Sequence, residues 1–205
     1  MALAEKYIPY TEKQLYTEAQ YFEFDRTSIG RWEYVHGEIR AMSGGTANHS
    51  MIAMNIARIL GNALVPRGCR VFGADMRVHT GDGINTFPDV SVVCGSLSFY
   101  QDRTDTLLNP LLIVEVLSDS TEPYDRGEKF RHFQTVPTLT DYLLVSQHEA
   151  RAELFTRRGE GRWDYQNSAG LDQTLLLSSV EVTLALSDIY ALIEWASDTL
   201  TEQDL

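Results

Sequence analysis

The chain has 205 residues, of which 43% are apolar and 22% are charged. These fractions are typical of an ordinary folded domain, and they exclude a disordered, collagen-like or coiled-coil chain. Because one domain usually takes ~100 to 200 residues, we expect a single domain over residues 1–205.

Charge and cysteine usage restrict the setting of the protein. The 17 basic and 29 acidic residues give a net charge of -12, which argues mildly against non-specific contacts to nucleic-acid phosphates. Residues 111–114 form an apolar stretch far too short to span a membrane, and nothing after Met1 resembles a secretory signal. Cys69 and Cys94 are too few for a disulfide scaffold and form no CxxC pair. We therefore expect a cytoplasmic protein with no membrane contact.

The first predicted elements are a short helix and a β hairpin arm. Thr17 and Gln20 have the spacing of a capping box, so a helix begins there, with Ala19 and Phe22 on its apolar side. Residues 31–42 mix aromatic and β-branched residues with polar ones, which predicts a strand or a bent hairpin arm.

A longer helix is predicted over Ser50 to Leu64. Its apolar residues recur at the spacing of one buried helix face, and Pro66 and Gly68 end it. Residues 70–80 and 86–94 then form two predicted strands around a glycine-rich turn, which makes a hairpin.

The remaining elements predict a sheet covered by helices. Residues 111–117 are apolar on both alternating faces except for Glu115, as expected of a central strand. A helix around Asp125 to Gln134 follows. Three strands are predicted next, at residues 141–147, 150–157 and 162–166. A final helix, capped by Ser187-Asp188, is predicted at residues 189–196. The sequence therefore predicts an α/β domain with a mixed central sheet flanked by helices.

Glu115 is the most informative residue of the chain. A carboxylate in a buried apolar strand must be paired, protonated or bound to a metal ion to offset its desolvation. Asp89 begins the preceding apolar strand, and adjacent strands would bring the two carboxylates together. Two converging carboxylates suit Mg²⁺ or Mn²⁺. Lys129, on the following helix, could reach the same place and assist phosphodiester hydrolysis.

Three segments resemble known nuclease motifs. Pro88-Asp89, residues 115–118 (Glu-Val-Leu-Ser) and residues 125–129 (Asp-Arg-Gly-Glu-Lys) are similar to those of the PD-(D/E)XK nuclease superfamily. Within that superfamily they resemble the Uma-two family, described as putative restriction endonucleases. The likeness extends over about residues 17–195, which implies a nuclease-like core there with short flexible termini on either side.

The resemblance implies a restriction-endonuclease-like fold that hydrolyses DNA with Mg²⁺ or Mn²⁺. It makes Asp89 and Glu115 the metal ligands. Leu117 stands where the motif has a lysine, so Lys129 takes that catalytic role by migration to the next helix. Glu38 is a further candidate catalytic carboxylate, while Glu33 is the weaker candidate. Cleavage of both strands in one encounter usually takes two active sites, so a homodimer is also expected.

Several alternatives stay open at this point. Glu115 could form a structural ion pair with Lys129 or Arg126. His49 could carry protons or could be a polar residue near a helix start. Arginines at residues 151, 157, 158 and 162 could face phosphate or lie on a solvated hairpin. The whole domain could instead be an inactive module that binds nucleic acid or a protein partner, or a hydrolase of smaller phosphate substrates.

Overall fold

The computed structural model describes residues 14–195 and has two main sheets. Residues 1–13 and 196–205, which make up most of the two predicted flexible termini, lie outside the described residues. No helix in the described range is long and apolar enough to cross a membrane.

The chain contains five α-helices and thirteen strands between residues 14 and 195. The helices are α1 (Glu18–Thr27), α2 (Ala47–Leu64), α3 (Glu122–Arg126), α4 (Glu128–Gln134) and α5 (Leu186–Ile189). The first seven strands are β1 (Trp32–Val35), β2 (Glu38–Ala41), β3 (Cys69–Gly73), β4 (Arg77–His79), β5 (Asn85–Thr86), β6 (Val90–Cys94) and β7 (Thr106–Leu107). The others are β8 (Leu112–Leu117), β9 (Asp141–Ser146), β10 (Arg151–Gly159), β11 (Arg162–Ala169), β12 (Thr174–Leu177) and β13 (Val182–Ala185).

The larger sheet has six strands in the order β11-β10-β9-β8-β6-β3. Strand β8 runs parallel to β9 and antiparallel to β6, so the sheet is mixed and β8 lies inside it. Every residue of β8 is buried. The smaller sheet has the order β2-β1-β5-β4-β7, and β12 pairs with β13 as a separate hairpin. The predicted mixed α/β architecture is confirmed.

Two apolar clusters cover the two faces of the larger sheet. Alternate β8 residues, such as Val114 and Val116, pack in the cluster that contains the apolar face of α2. The intervening residues Ile113 and Leu117 pack in the cluster that contains Phe130 of α4. Because successive strand residues point to opposite faces, Glu115 lies on the α4 side.

The predicted hairpin at residues 70–94 exists, but each of its arms is divided between the two sheets. Strands β3 and β6 pair in the larger sheet, and β4 and β5 pair in the smaller one. The two arms leave the larger sheet at Gly73 and at Val90. This divided hairpin connects the sheets and places Asp89 at their junction.

Cys69 and Cys94 are paired across β3 and β6 and form a disulfide, with a sulfur–sulfur distance of 2.04 Å. One disulfide agrees with the absence of a disulfide scaffold. However, disulfides are rare in reducing compartments, so the cysteines no longer support the expectation of a reducing cytosol.

Three predicted helices differ in detail. The capping box of Thr17 is present, but the buried residue of α1 is Tyr21, while Ala19 is exposed. The helix around residues 125–134 is broken at Gly127, whose backbone leaves the helical region, and so it forms α3 and α4. The final helix is wrong in position, because α5 ends at Ile189 and Ala196 lies outside the described residues.

Candidate active site

A cavity of about 540 Å³ opens where the two sheets, α2 and α3 meet. Strand β8 contributes Glu115 to its wall, and the segment before β6 contributes Asp89. Val90 pairs with Val114, so the next step of this antiparallel register sets Asp89 beside Glu115. The predicted adjacency of the two strands is confirmed.

Asp89 is held by the backbone of β8. Its Oδ2 accepts a hydrogen bond of 2.7 Å from the Val116 amide. The same oxygen lies 3.3 Å from Nε2 of His49, at the start of α2, where the Thr46 hydroxyl accepts from the His49 amide. The hydrogen bond to Asp89 raises the pKa of His49, and burial opposes that rise. His49 therefore directly contacts Asp89, one of the two expected metal ligands. From the sequence, His49 could also have been a polar residue near the start of a helix.

Glu115 and Lys129 form a buried ion pair. The Lys129 Nζ lies 2.7 Å from Glu115 Oε1 and 3.4 Å from Asp125 Oδ1. All three side chains are less than a tenth exposed, and all three line the cavity. This geometry places Lys129 against Glu115, where the resemblance expected the motif lysine.

The cavity has more negative than positive groups. Burial raises the pKa of Glu115, and Asp125 and Asp89 add to the rise, while Lys129 opposes it. Burial also raises the pKa of Asp125. Burial lowers the pKa of Lys129, but the surrounding carboxylates outweigh it and hold that pKa well above its ordinary value. The site therefore favours additional positive charge.

Packing explains why a leucine, Leu117, stands where the nuclease motif has a lysine. It is 3% exposed and lies in the apolar cluster that contains Phe130 and Tyr142. A lysine there would bury an ammonium among aromatic rings. The residue that approaches Glu115 therefore comes from α4, the helix that covers this face of the sheet.

Glu33 lies in the cavity wall and Glu38 does not. Glu33 is buried on β1, where its Oε1 accepts hydrogen bonds from the Thr86 hydroxyl and from the Phe87 amide. Glu38 lies on β2 and forms an ion pair of 3.1 Å with Arg40. The preference for Glu38 over Glu33 therefore has no support in the cavity geometry. The hydroxyl of Tyr124 also lines the cavity and is a buried group without a hydrogen-bond partner among residues 14–195.

The hairpin arginines do not form a phosphate-facing patch at this cavity. The Arg157 guanidinium donates to the carbonyls of Leu139, Gln134 and Val136. Arg158 pairs with Asp164, and Arg151 pairs with Glu149. Among the residues that line the cavity, the basic side chains are those of Arg31, His49 and Lys129.

Comparison with known proteins identifies the family to which this chain belongs. The family model described as Uma2, putative restriction endonuclease, matches residues 18–188. The chain belongs to this family.

Three individual proteins are similar to this chain. An uncharacterized protein of Synechocystis sp., slr1290, is 37% identical over 174 residues, which are 83% of this chain and 89% of that protein. A second uncharacterized Synechocystis protein, sll1609, is 32% identical over 151 residues, which are 73% and 85% of the two chains. The crystal structure of a putative nuclease belonging to DUF820 from Anabaena variabilis has a TM-score of 0.67 at 18% identity, and the match covers 80% of this chain and 91% of that one. The restriction-endonuclease-like fold is confirmed.

Proposed function

We propose that this protein is a DNA endonuclease that requires Mg²⁺ or Mn²⁺ and hydrolyses phosphodiester bonds in the cavity between the sheets. The observation that carries the proposal is the buried Glu115–Lys129 pair on the wall of a cavity that Asp89 shares. Family membership supports the nuclease class, and the acidic cavity supports a requirement for a cation.

The donor groups of the cavity fit a hard divalent cation. Asp89 and Glu115 offer carboxylate oxygens, which Mg²⁺ prefers, and burial together with the neighbouring carboxylates of Asp125 and Asp89 raises the pKa of Glu115. No three carboxylates of the described cavity wall bring ligand oxygens within 4.8 Å of one another. This agrees with the usual Mg²⁺ site, in which one or two carboxylates act together with water and substrate phosphate. A bound ion would polarise the phosphate and its attacking water.

The protein side chains have distinct roles in this proposal. Asp89 and Glu115 would hold the ion, and Asp89 is kept in position by the Val116 amide. Lys129 would place its ammonium against the phosphate oxygens that gain negative charge while water bonds to phosphorus and one ester bond breaks. Arg31 lines the same cavity and would contact the phosphate backbone. A homodimer would bring two such sites to the two strands of a duplex.

Plasmid cleavage in Mg²⁺ tests the proposal. Asp89→Asn removes a ligand oxygen and should abolish cleavage, whereas Asp172→Asn, at an exposed acidic residue away from the cavity, should leave it unchanged. Lys129→Ala should retain Mg²⁺ binding yet slow cleavage by roughly 10²-fold or more, the scale of one lost electrostatic contact to a transition state.

The proposed endonuclease activity would be contradicted if purified wild-type protein cleaved no single-stranded, double-stranded or branched DNA with Mg²⁺ or with Mn²⁺. Binding of one of these DNAs that is unchanged in both cavity variants would then support a non-catalytic binding module.

A further inference from the structure

A second cluster of metal-binding side chains lies outside the cavity. It contains His36, Glu128 and His132, and one potential ligand atom from each lies within 4.8 Å of the other two. Between residues 14 and 195 this is the one group of three or more His, Cys, Asp or Glu side chains that meets this distance. None of the three lines the cavity of Asp89 and Glu115.

His132 provides a second, independent observation that points to a ligand. Its side chain is 7% exposed, and its Nε2 is buried without a hydrogen-bond partner among the described residues. That nitrogen lies 3.7 Å from Glu128 Oε1, which is too far for a hydrogen bond. A buried imidazole nitrogen left in this state costs free energy unless something binds it.

The other nitrogen of His132 is already fixed. Its Nδ1 lies 2.7 Å from Asp82 Oδ2, at the tip of the β4–β5 hairpin. Asp82 is itself held by the Thr80 hydroxyl, which donates to Oδ1 over 2.6 Å. When a carboxylate accepts a hydrogen bond from Nδ1, the lone pair of Nε2 is available to bind a metal ion. Metal-binding histidines are commonly oriented by such a carboxylate.

His36 and Glu128 complete the cluster from two different elements. His36 lies in the β1–β2 turn with a φ of 49°, and its ring centroid is 5.0 Å from that of His132. Glu128 lies one turn before His132 on α4. His36 is exposed and Glu128 is partly exposed, whereas His132 is buried.

We propose that His36, Glu128 and His132 form a Zn²⁺ site whose fourth position takes water. Two imidazoles and one carboxylate select a borderline transition metal over Mg²⁺. Zn²⁺ bonds of about 2.0 to 2.2 Å place neighbouring ligand atoms of a tetrahedron roughly 3.3 to 3.6 Å apart. The 3.7 Å separation of His132 Nε2 and Glu128 Oε1 is close to this range.

The site connects three parts of the chain that are distant in sequence. His36 belongs to the hairpin that carries Glu33, and Glu128 immediately precedes Lys129. Asp82 adds the tip of the divided hairpin as an outer partner. A bound Zn²⁺ would therefore fasten the β1–β2 turn to α4 beside the carboxylate cavity. This role does not depend on the nuclease proposal.

Zinc binding to the full chain tests the site directly. The protein is first stripped with a chelator and then titrated with Zn²⁺ by calorimetry. The titration is done in excess Mg²⁺, which would fill the carboxylate cavity under the proposed function, and we then expect one saturable Zn²⁺ site per chain. His36→Asn keeps a residue that tolerates positive φ but removes the imidazole, and Glu128→Gln removes the carboxylate. Each should weaken Zn²⁺ binding at least about tenfold, and Asp82→Asn should weaken it about 10- to 100-fold.

Two control variants separate this site from other zinc ligands. His148→Asn replaces an exposed histidine that pairs with Asp119 and should bind Zn²⁺ as the wild type does. Asp89→Asn alters the carboxylate cavity and should also leave Zn²⁺ affinity unchanged. X-ray absorption of the zinc-loaded wild type should show scattering from two imidazoles.

The absence of saturable binding in the wild type would overturn the proposal. Affinity that is unchanged in both His36→Asn and Glu128→Gln would also overturn it, as would affinity lost in Asp89→Asn and kept in His36→Asn. Circular dichroism of each variant shows whether it is folded, so that a loss of zinc is measured on native protein.

Discussion

At the scale of single residues, Glu33 and Glu38 offer a direct comparison of two carboxylates five positions apart. Glu33 is buried in the cavity wall, whereas Glu38 pairs with Arg40 outside it. Glu33→Gln should therefore reduce metal-dependent cleavage at least about tenfold more than Glu38→Gln. Equal losses of kcat/KM in the two variants would show that Glu33 has no special role.

The Glu115–Lys129 pair predicts a specific pattern of stabilities. Lys129→Met leaves the Glu115 carboxylate buried without its ammonium, and breaking a buried pair from one side costs about 3 to 5 kcal/mol. Urea unfolding without divalent metal should show this loss.

The double variant Glu115→Gln/Lys129→Met should recover part of that stability, because the Glu115 charge is removed and Asp125 is the carboxylate of this group that stays buried without the ammonium. Losses that simply add in the double variant would mean that the two groups are not coupled.

These residues also show how far the sequence predicts a site. Asp89 and Glu115 could be identified because a carboxylate in an apolar strand is physically costly. Lys129 could be proposed because the helix after the Glu115 strand can return its ammonium to the same place, and the family resemblance then assigned it the role of the motif lysine. The place of Glu33 in the cavity wall could not be predicted, because the sequence does not show that Thr86 and Phe87, more than fifty positions away, hold its carboxylate there.

At the scale of elements, α3 is joined to β10 by one arginine. Arg126 donates two hydrogen bonds to Glu153, of 2.7 and 2.8 Å. These bonds hold the pKa of Glu153 below its ordinary value, while burial opposes them. The carboxylate therefore stabilises the fold at pH values above its pKa in the unfolded chain, about 4.3. This contribution is lost as the pH falls through the lower pKa that Glu153 has in the folded protein.

The matched variant for this contact is Glu153→Gln. It should be less stable than the wild type at pH 7, and the difference should shrink as the pH is lowered below about 4. Thermal unfolding between pH 3 and pH 7 measures the trend. A difference that stays constant over this range would mean that the charge of Glu153 is not involved.

The disulfide predicts an effect on the hairpin of β3 and β6. It closes a loop with a sequence separation of 25, for which chain entropy gives about 3.5 kcal/mol of stabilisation. The double variant Cys69→Ser/Cys94→Ser should lose a substantial part of this under oxidising conditions.

In a reducing buffer, the wild type and this double variant should have similar urea midpoints. A gap that persists after complete reduction would assign the loss to packing of the sulfur atoms and not to the cross-link.

Elements differ in how well the sequence predicts them. The apolar face of α2 recurs at helix spacing, and both its position and its end before Pro66 are confirmed. Strands β12 and β13 were missed, although Leu175 and Leu177 are buried while Leu176 is exposed. Leucine favours helices as much as strands, so this short alternation does not distinguish a strand from other structure.

At the scale of the whole molecule, the division into two sheets is the feature that the sequence does not predict. Apolar alternation identifies strands at residues 70–80 and 86–94, but it does not show where the hairpin leaves one sheet for another. That point is set by long-range pairing of β6 with β8 and of β5 with β1. The cavity forms at this junction, so its existence could not be derived from local patterns.

The divided hairpin also limits how the chain can vary in length. One residue inserted in either arm would reverse the faces of the strand that follows it, so that arm could not keep its register in both sheets. Its tip is not free to absorb the change, because Gly81 approaches the Thr135 carbonyl so closely that a Cβ would lie 2.5 Å away. The exposed β10–β11 turn has no such neighbour at Gly159 or Gly161. Homologues should therefore carry insertions and deletions near residues 159–161 and keep a constant length from Cys69 to Cys94. A peptide tag inserted near residues 159–161 should leave the protein folded, whereas the same tag inserted between Cys69 and Cys94 should not.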